Sequence, residues 1–144
     1  MEVHVSGIAR LLCSKPNCYD KNYSECPERA ESLKGCKGAN EWVGGFELAI
    51  DGTFYTMCCE FENLEKYTKP KYKQVKIQRG EYFEGDQKEN KDGDVTSFDV
   101  IKDIQTFRDT NGNPYYNLTV HNFNCVPLLQ QSPKWASKTH WPYF

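Results

Sequence analysis

Two cysteines stand side by side at Cys58-Cys59, and five more (Cys13, Cys18, Cys26, Cys36 and Cys125) accompany them in a chain of 144 residues. Four of the seven fall within the first 36 residues. That density in a short chain reads as a disulfide framework. Zinc is the rival reading, but Cys13-x4-Cys18 and Cys26-x9-Cys36 miss the usual short ligand spacing, and an adjacent pair is poor knuckle spacing. Neighbouring residues of a strand point to opposite faces, so Cys58 and Cys59 are expected to find two different partners. With seven cysteines the connectivity is not deducible. Cys125 is expected to staple a second hairpin to a first through Cys58 or Cys59.

The chain is long enough for one domain that removes about two-thirds of its unfolded surface from water. Its hydrophobic share of 38% is modest and its aromatic share of 14% compensates; charged residues are 26% and the net charge is -2. This balance excludes a disordered acidic tail, a generic nucleic-acid binder and a multidomain enzyme. No apolar stretch approaches the ~20 residues of a transmembrane helix. Two sequons, Asn22-Tyr23-Ser24 and Asn117-Leu118-Thr119, join the cysteines in pointing to a secreted, extracellular glycoprotein. The opening Met1-Glu-Val-His-Val-Ser-Gly7 has neither a basic nor an apolar export region, and an odd cysteine count leaves one thiol over. Both are expected if an upstream piece carries an export signal and an eighth cysteine.

Residues 1–41 are turn-rich and are expected to be held by crosslinks more than by a core, with one short helix over Pro27–Lys34 ended by Gly35. Asp51-Gly52 sits between two apolar-rich runs, the signal of a two-residue type I′ hairpin. That loop pairs Leu48 with Tyr55, Phe46 with Met57, Gly44 with Cys59 and Trp42 with Phe61, all on one face, with Cys59 inward and Cys58 outward. Trp42 and Phe61 then form a cross-strand aromatic pair, read as core packing rather than a stacking platform. Residues 84–94 read as a polar loop. A second hairpin spans 95–125 about the turn Asp109–Pro114. In its first strand Phe98, Ile101, Ile104 and Phe107 recur every three residues, which reads as a bulged strand. In its second strand Tyr116, Leu118 and Val120 oppose Asn117, Thr119 and His121, so Asn117 points away from Leu118. The domain thus covers 1–126, and 127–144 is a linker or tail.

The fold class is mainly β: disulfide-stapled antiparallel hairpins in a sandwich-like or twisted sheet, with a small α+β form as the variant. The strings Asn40-Glu-Trp-Val-Gly-Gly45, Met57-Cys-Cys-Glu-Phe61, Ser97-Phe-Asp-Val-Ile101 and Tyr116-Asn-Leu-Thr-Val-His-Asn-Phe-Asn-Cys125 resemble the amino-terminal Wart domain of nematode hedgehog-related proteins, the warthog family. Glu2-Val-His-Val-Ser-Gly7 and Leu12-Cys-Ser-Lys-Pro-Asn-Cys18 fit the same pattern, so the resemblance runs over roughly residues 2–127. It implies a secreted cysteine-rich domain that takes part in cell-to-cell signalling, development, and cuticle or matrix. Many family members also carry a self-cleaving carboxy-terminal domain that opens with a nucleophilic cysteine; nothing after Cys125 supplies one.

Site chemistry is sparse. His4, His121 and His140 lie in no H-E-x-x-H, and no G-x-S-x-G or P-loop occurs, so no catalytic residues, metal or cofactor are assigned. His121 reads as a surface strand residue. Asp86, Asn90, Asp92 and Asp94 invite calcium, but setting Gly93 at the turn position of an EF-hand places Lys88 where the first ligand belongs. Lys66, Lys69, Lys71, Lys73, Lys76 and Arg79 form a basic stretch, three of them at period two, suited to a sulfated polysaccharide or simply to a solvated edge strand. The expected activity is binding, to an extracellular receptor or matrix component. A structural cuticle protein and a polysaccharide-binding module are the alternatives.

Overall fold

The computed structural model describes residues 1–13 and 24–126. The Asn22 sequon, Cys18 and the tail from Pro127 lie outside them. Strands β1 (Glu2–Val3) and β2 (Ala9–Arg10) form a small hairpin; β3 (Glu41–Leu48) and β4 (Phe54–Glu60) form a second. A single helical turn α1 (Leu64–Tyr67) leads into β5 (Thr68–Ile77), β6 (Gln87–Glu89), β7 (Val95–Arg108) and β8 (Pro114–Asn124). These last four make an antiparallel sheet in the order β5-β8-β7-β6. The mainly β expectation is met, as is the hairpin about Asp109 and the bulge in its first strand, which falls between Ile101 and Asp103.

Four hairpins turn in the same way. In each, a residue donates and accepts across a three-residue loop whose last member is a glycine of positive φ: His4 to Ile8 about Gly7, Ala49 to Thr53 about Gly52, Asn90 to Asp94 about Gly93, and Asp109 to Asn113 about Gly112. This is the three-residue loop with a glycine bulge. The side-chain oxygens of Asn90 and Asp109 each accept the amides two and four residues on, which holds the loop without help from the core. The segment expected to be a polar loop therefore contains β6 and a tight turn.

The same geometry corrects the first hairpin. Its loop holds three residues, Ile50–Gly52, so Leu48 faces Phe54 and Phe46 faces Thr56, one position off the expected register. A second shift, between Val43 and Gly45, sets Cys59 opposite Trp42 and Cys58 opposite Val43. Phe61 instead lies beyond the strand and packs edge-on against Phe123 at 5.7 Å. The unpaired residue at the shift is Gly44. A Cβ there would sit 2.3 Å from the Cys59 sulfur, so the strand accommodates the crosslink only where it lacks a side chain.

No helix forms over Pro27–Lys34. Cys26 is bonded to Cys59 and Cys36 to Cys58, so the segment runs beside β4. It exchanges reciprocal backbone hydrogen bonds there: Glu25 with Glu60 and Ser32 with Thr56. Two covalent anchors and these four bonds outcompete a helix of two turns. Adjacent cysteines thus bond to different partners as expected, with Cys59 fully buried and Cys58 less so. Because both are taken, Cys125 does not join either of them; it is buried and disulfide-bonded elsewhere. Cys13 is exposed and free.

Two apolar clusters fill the domain. Val3, Cys36, Val43, Ile77, Ile104, Tyr116, Leu118 and Val120 make one; Phe61, Leu64, Tyr67, Val95, Phe123 and Cys125 make the other. Buried positions change parity after Val120, to Phe123 in β8 and Cys125 just beyond it, so the two halves of the strand serve different clusters. The amino-terminal segment contributes to the core as well as hanging from crosslinks. Val3 is buried, and its amide and carbonyl bond to Glu81 and Gly80.

The shared turn predicts a substitution cost. No atom lies within 4 Å of where a Cβ would stand on Gly112, so Gly112→Ala isolates the backbone strain of its φ of 79°. It should cost about 1–2 kcal/mol in urea unfolding, and Gly112→Asn less. An unchanged midpoint for the alanine variant would contradict the turn assignment.

Candidate functional site

The basic stretch does not form one stripe. Register shifts after Pro70 and after Tyr72 break the period-two pattern, so Lys69, Lys71 and Lys73 do not share one regular face. Tyr72, Val75 and Ile77 lie opposite Val120, Leu118 and Tyr116, while Lys76 lies opposite Asn117. Lys71 is committed elsewhere: its ammonium donates to Asp99 at 2.7 Å and to Asp86 at 2.9 Å. These two hydrogen bonds hold its pKa well above the ordinary lysine range. Burial alone would raise the Asp99 pKa; Lys71, the Asp86 amide and the Asn122 amide outweigh it and leave the carboxyl below its usual range. Lys66, Lys69, Lys73, Lys76 and Arg79 remain exposed. Lys76 lies 4.4 Å from the centre of the Tyr115 ring.

A cleft of about 400 Å³ opens between the Cys36–Ala39 segment, α1 and the sheet. Its titratable lining is Lys37, Glu65, Lys102, Asp103 and His121. The bulge after Ile101 buries two consecutive charged residues, Lys102 and Asp103, between Ile101 and Ile104. Lys102 donates to the carbonyls of Gly38, at 3.1 Å, Ala39, at 3.2 Å, and Glu41. Asp103 accepts the Cys36 amide at 2.9 Å and the Lys37 ammonium at 2.6 Å. The pair therefore clamps the loop that carries Cys36 onto β7. Burial pushes the Lys102 pKa down, opposed by Glu41, Glu65 and Asp103. With three carbonyls on its ammonium, Lys102 is a structural donor rather than a free base. Cys36 lies in the cleft as a disulfide and so offers no thiolate.

His121 departs from its expected place on the open surface. Its Nδ1 is buried and, among the described residues, has no hydrogen-bond partner. Burial, and then the charge of Lys102, lower its pKa. Among the described residues no group of three or more His, Cys, Asp or Glu side chains is placed to hold a metal ion. The acidic loop instead spends Asn90 on its own turn. Asn117 occupies the position expected of it, on the side of β8 away from buried Leu118. Sequence reasoning missed the Lys102–Asp103 clamp. The available signal was the charged pair inside Val100-Ile-Lys-Asp-Ile104.

Comparison with known proteins places this architecture. The family described as the Warthog N-terminal signalling domain matches residues 1–126. Warthog protein 3 of Caenorhabditis elegans is 64% identical over 144 residues, all of this chain and 80% of that protein. Warthog protein 5 of the same organism is 42% identical, over the whole chain and 81% of its own length. Warthog protein 1 is 31% identical over 120 residues, 83% of this chain but 24% of that protein. No solved structure matches.

Of the groups with shifted pKa values, His121 and Asp99 bear on how stability responds to acid. The folded pKa of His121 lies below the ordinary 6.5, so the unfolded chain binds its proton first. Stability should be constant for this group above that value and fall as the pH drops below it. Asp99, lowered from 3.8, adds a second loss only below about pH 4. Urea midpoints across pH 3–8 test this: His121→Gln should flatten the upper limb, and Asp99→Asn should flatten only the lower one. A wild-type profile that is level between pH 7 and 5 would contradict the lowered pKa of His121.

Proposed function

The chain belongs to the Warthog family of N-terminal signalling domains, and on that premise we propose that it is a secreted domain that acts between cells by binding an extracellular protein. The observation that carries the reading is the pair of crosslinks Cys26–Cys59 and Cys36–Cys58, with Cys125 also bonded. The segment they hold has no helix or strand of its own, and reducing conditions would remove its two covalent anchors. Such a design suits an oxidising compartment. The two sequons agree with that address. Exposed Val5 and Ile50, at the tips of two hairpins, supply apolar contact points of the kind a partner covers.

A second reading has the exposed cations Lys66, Lys69, Lys73, Lys76 and Arg79 in its favour: attachment to a sulfated polysaccharide in the matrix. The two differ in their salt response. Polysaccharide capture weakens steeply with ionic strength, whereas an apolar protein contact does not. A structural cuticle role would show instead as covalent polymerisation.

Oxidised protein, labelled and added to intact Caenorhabditis elegans cells, should bind saturably at physiological salt, and protease treatment of the cells should abolish binding. Binding that survives protease but disappears with Lys69→Glu, Lys73→Glu and Lys76→Glu would favour the polysaccharide. Native protein recovered with reduced cysteines in the cytosol would overturn both. On the chain-entropy account, separations of 33 and 22 residues give each crosslink about 3–4 kcal/mol of stability. A Cys36→Ser, Cys58→Ser double variant should lose about that much in urea unfolding.

A further inference from the structure

We infer that Asn117 carries an N-linked glycan whose first N-acetylhexosamine packs on the aromatic pair formed by exposed Phe107 and half-buried Tyr115. The inference rests on the secretory reading above and adds a ligand to a face that it left empty. Tyr115, Asn117 and Thr119 alternate with buried Tyr116, Leu118 and Val120, so they stand on the same side of β8. Across the sheet Asn117 meets Lys76 on β5 and Gln105 on β7, both exposed. Asn117 itself is half-buried. Among the described residues its carboxamide has no hydrogen-bond partner that would compete with attachment.

Beside this amide lies an unusual surface. Phe107 faces Tyr115, the rings are stacked with centroids 5.6 Å apart, and Phe107 is 42% exposed. Residues two apart on one face of a strand are within reach of a single sugar ring. The axial C–H groups of a pyranose make an apolar face that complements an aromatic ring. A sugar on Asn117 thus starts next to the partner it would cover, and attachment removes most of the translational cost of the contact. The Lys76 ammonium over Tyr115 is exposed and weakly held, so it yields to the sugar or shifts to its rim.

The donor is an oligosaccharide on a polyprenyl diphosphate in the secretory lumen. The Asn117 nitrogen forms a C–N bond to the anomeric carbon, the C–O bond to the diphosphate breaks, the lipid diphosphate leaves, and the amide proton passes to the transferase base.

The test uses the full chain with an export signal and Asn22→Gln, expressed through insect cells, so that Asn117 is the only sequon. Peptide mass spectrometry reads occupancy, and thermal melting compares the protein trimmed to one sugar with Asn117→Gln. The sugar should raise the melting temperature by about 2–4 °C. The gain should vanish in Phe107→Ala and in Tyr115→Ser; nuclear Overhauser contacts from the acetylated sugar to the Tyr115 ring give the same readout without a variant. An equal gain in the variants, or a sugar without ring contacts, overturns the docking. Secreted, disulfide-bonded protein with an empty Asn117 overturns the inference and leaves the secretory reading standing. Protein that folds with its cysteines reduced overturns both.

Discussion

Adjacent residues on a strand face opposite ways, and two disulfides that leave β4 from Cys58 and Cys59 turn that alternation into architecture. The segment that carries Cys26 and Cys36 must serve both sides of one strand within ten residues. It has no freedom to coil into a helix, and it takes the extended path on which Glu25 and Ser32 find backbone partners on β4. The demand reaches β3 as well. One crosslink pushes the Cys59 sulfur into the space that a side chain at position 44 would fill. The opposing strand answers with a glycine and a register shift at that point.

The crosslinked half and the four-stranded sheet are then joined by charge and by apolar packing. Cys36 and Val43 enter the cluster built on Ile104, Leu118 and Val120. The Lys102–Asp103 pair fastens the neighbouring loop. A buried charge pair is weak evidence for stability in itself, since desolvation offsets much of its attraction. Its value here is directional: an ammonium aimed at successive carbonyls and a carboxylate aimed at one amide specify where the Cys36 loop rests. The cost appears beside it: burial and the Lys102 charge push the His121 pKa down, and among the described residues its Nδ1 has no partner. On the other side of the sheet, Lys71 settles with Asp86 and Asp99 and so leaves the set of cations open to a ligand.

Much of the fold was legible because it rests on local chemistry. Alternation in Tyr116–His121 and the turn cluster at Asp109 predicted β7 and β8, and the three-residue recurrence of Phe98, Ile101, Ile104 and Phe107 predicted a bulge. Adjacent cysteines predicted separate partners. The misreadings share one cause: a long-range constraint overrode a local preference. Asp51-Gly52 signals a two-residue loop, yet Gly52 serves as the bulge glycine of a three-residue one, and the register slips with it. Pro27–Lys34 has helical residues but is pinned at both ends. The lysines of β5 alternate in the chain but not in space, because two extra residues enter the strand. No one-dimensional pattern announces that Lys102 and Asp103 turn inward to meet carbonyls more than sixty residues away.

The central claim is the pairing at β4, and crosslink mapping by stepwise partial reduction, differential alkylation and tandem mass spectrometry tests it most directly. The account predicts Cys59 joined to Cys26 and Cys58 joined to Cys36 in protein recovered from the secretory route. Exchanged partners, a Cys58–Cys59 bond, or a free thiol at either position would contradict it.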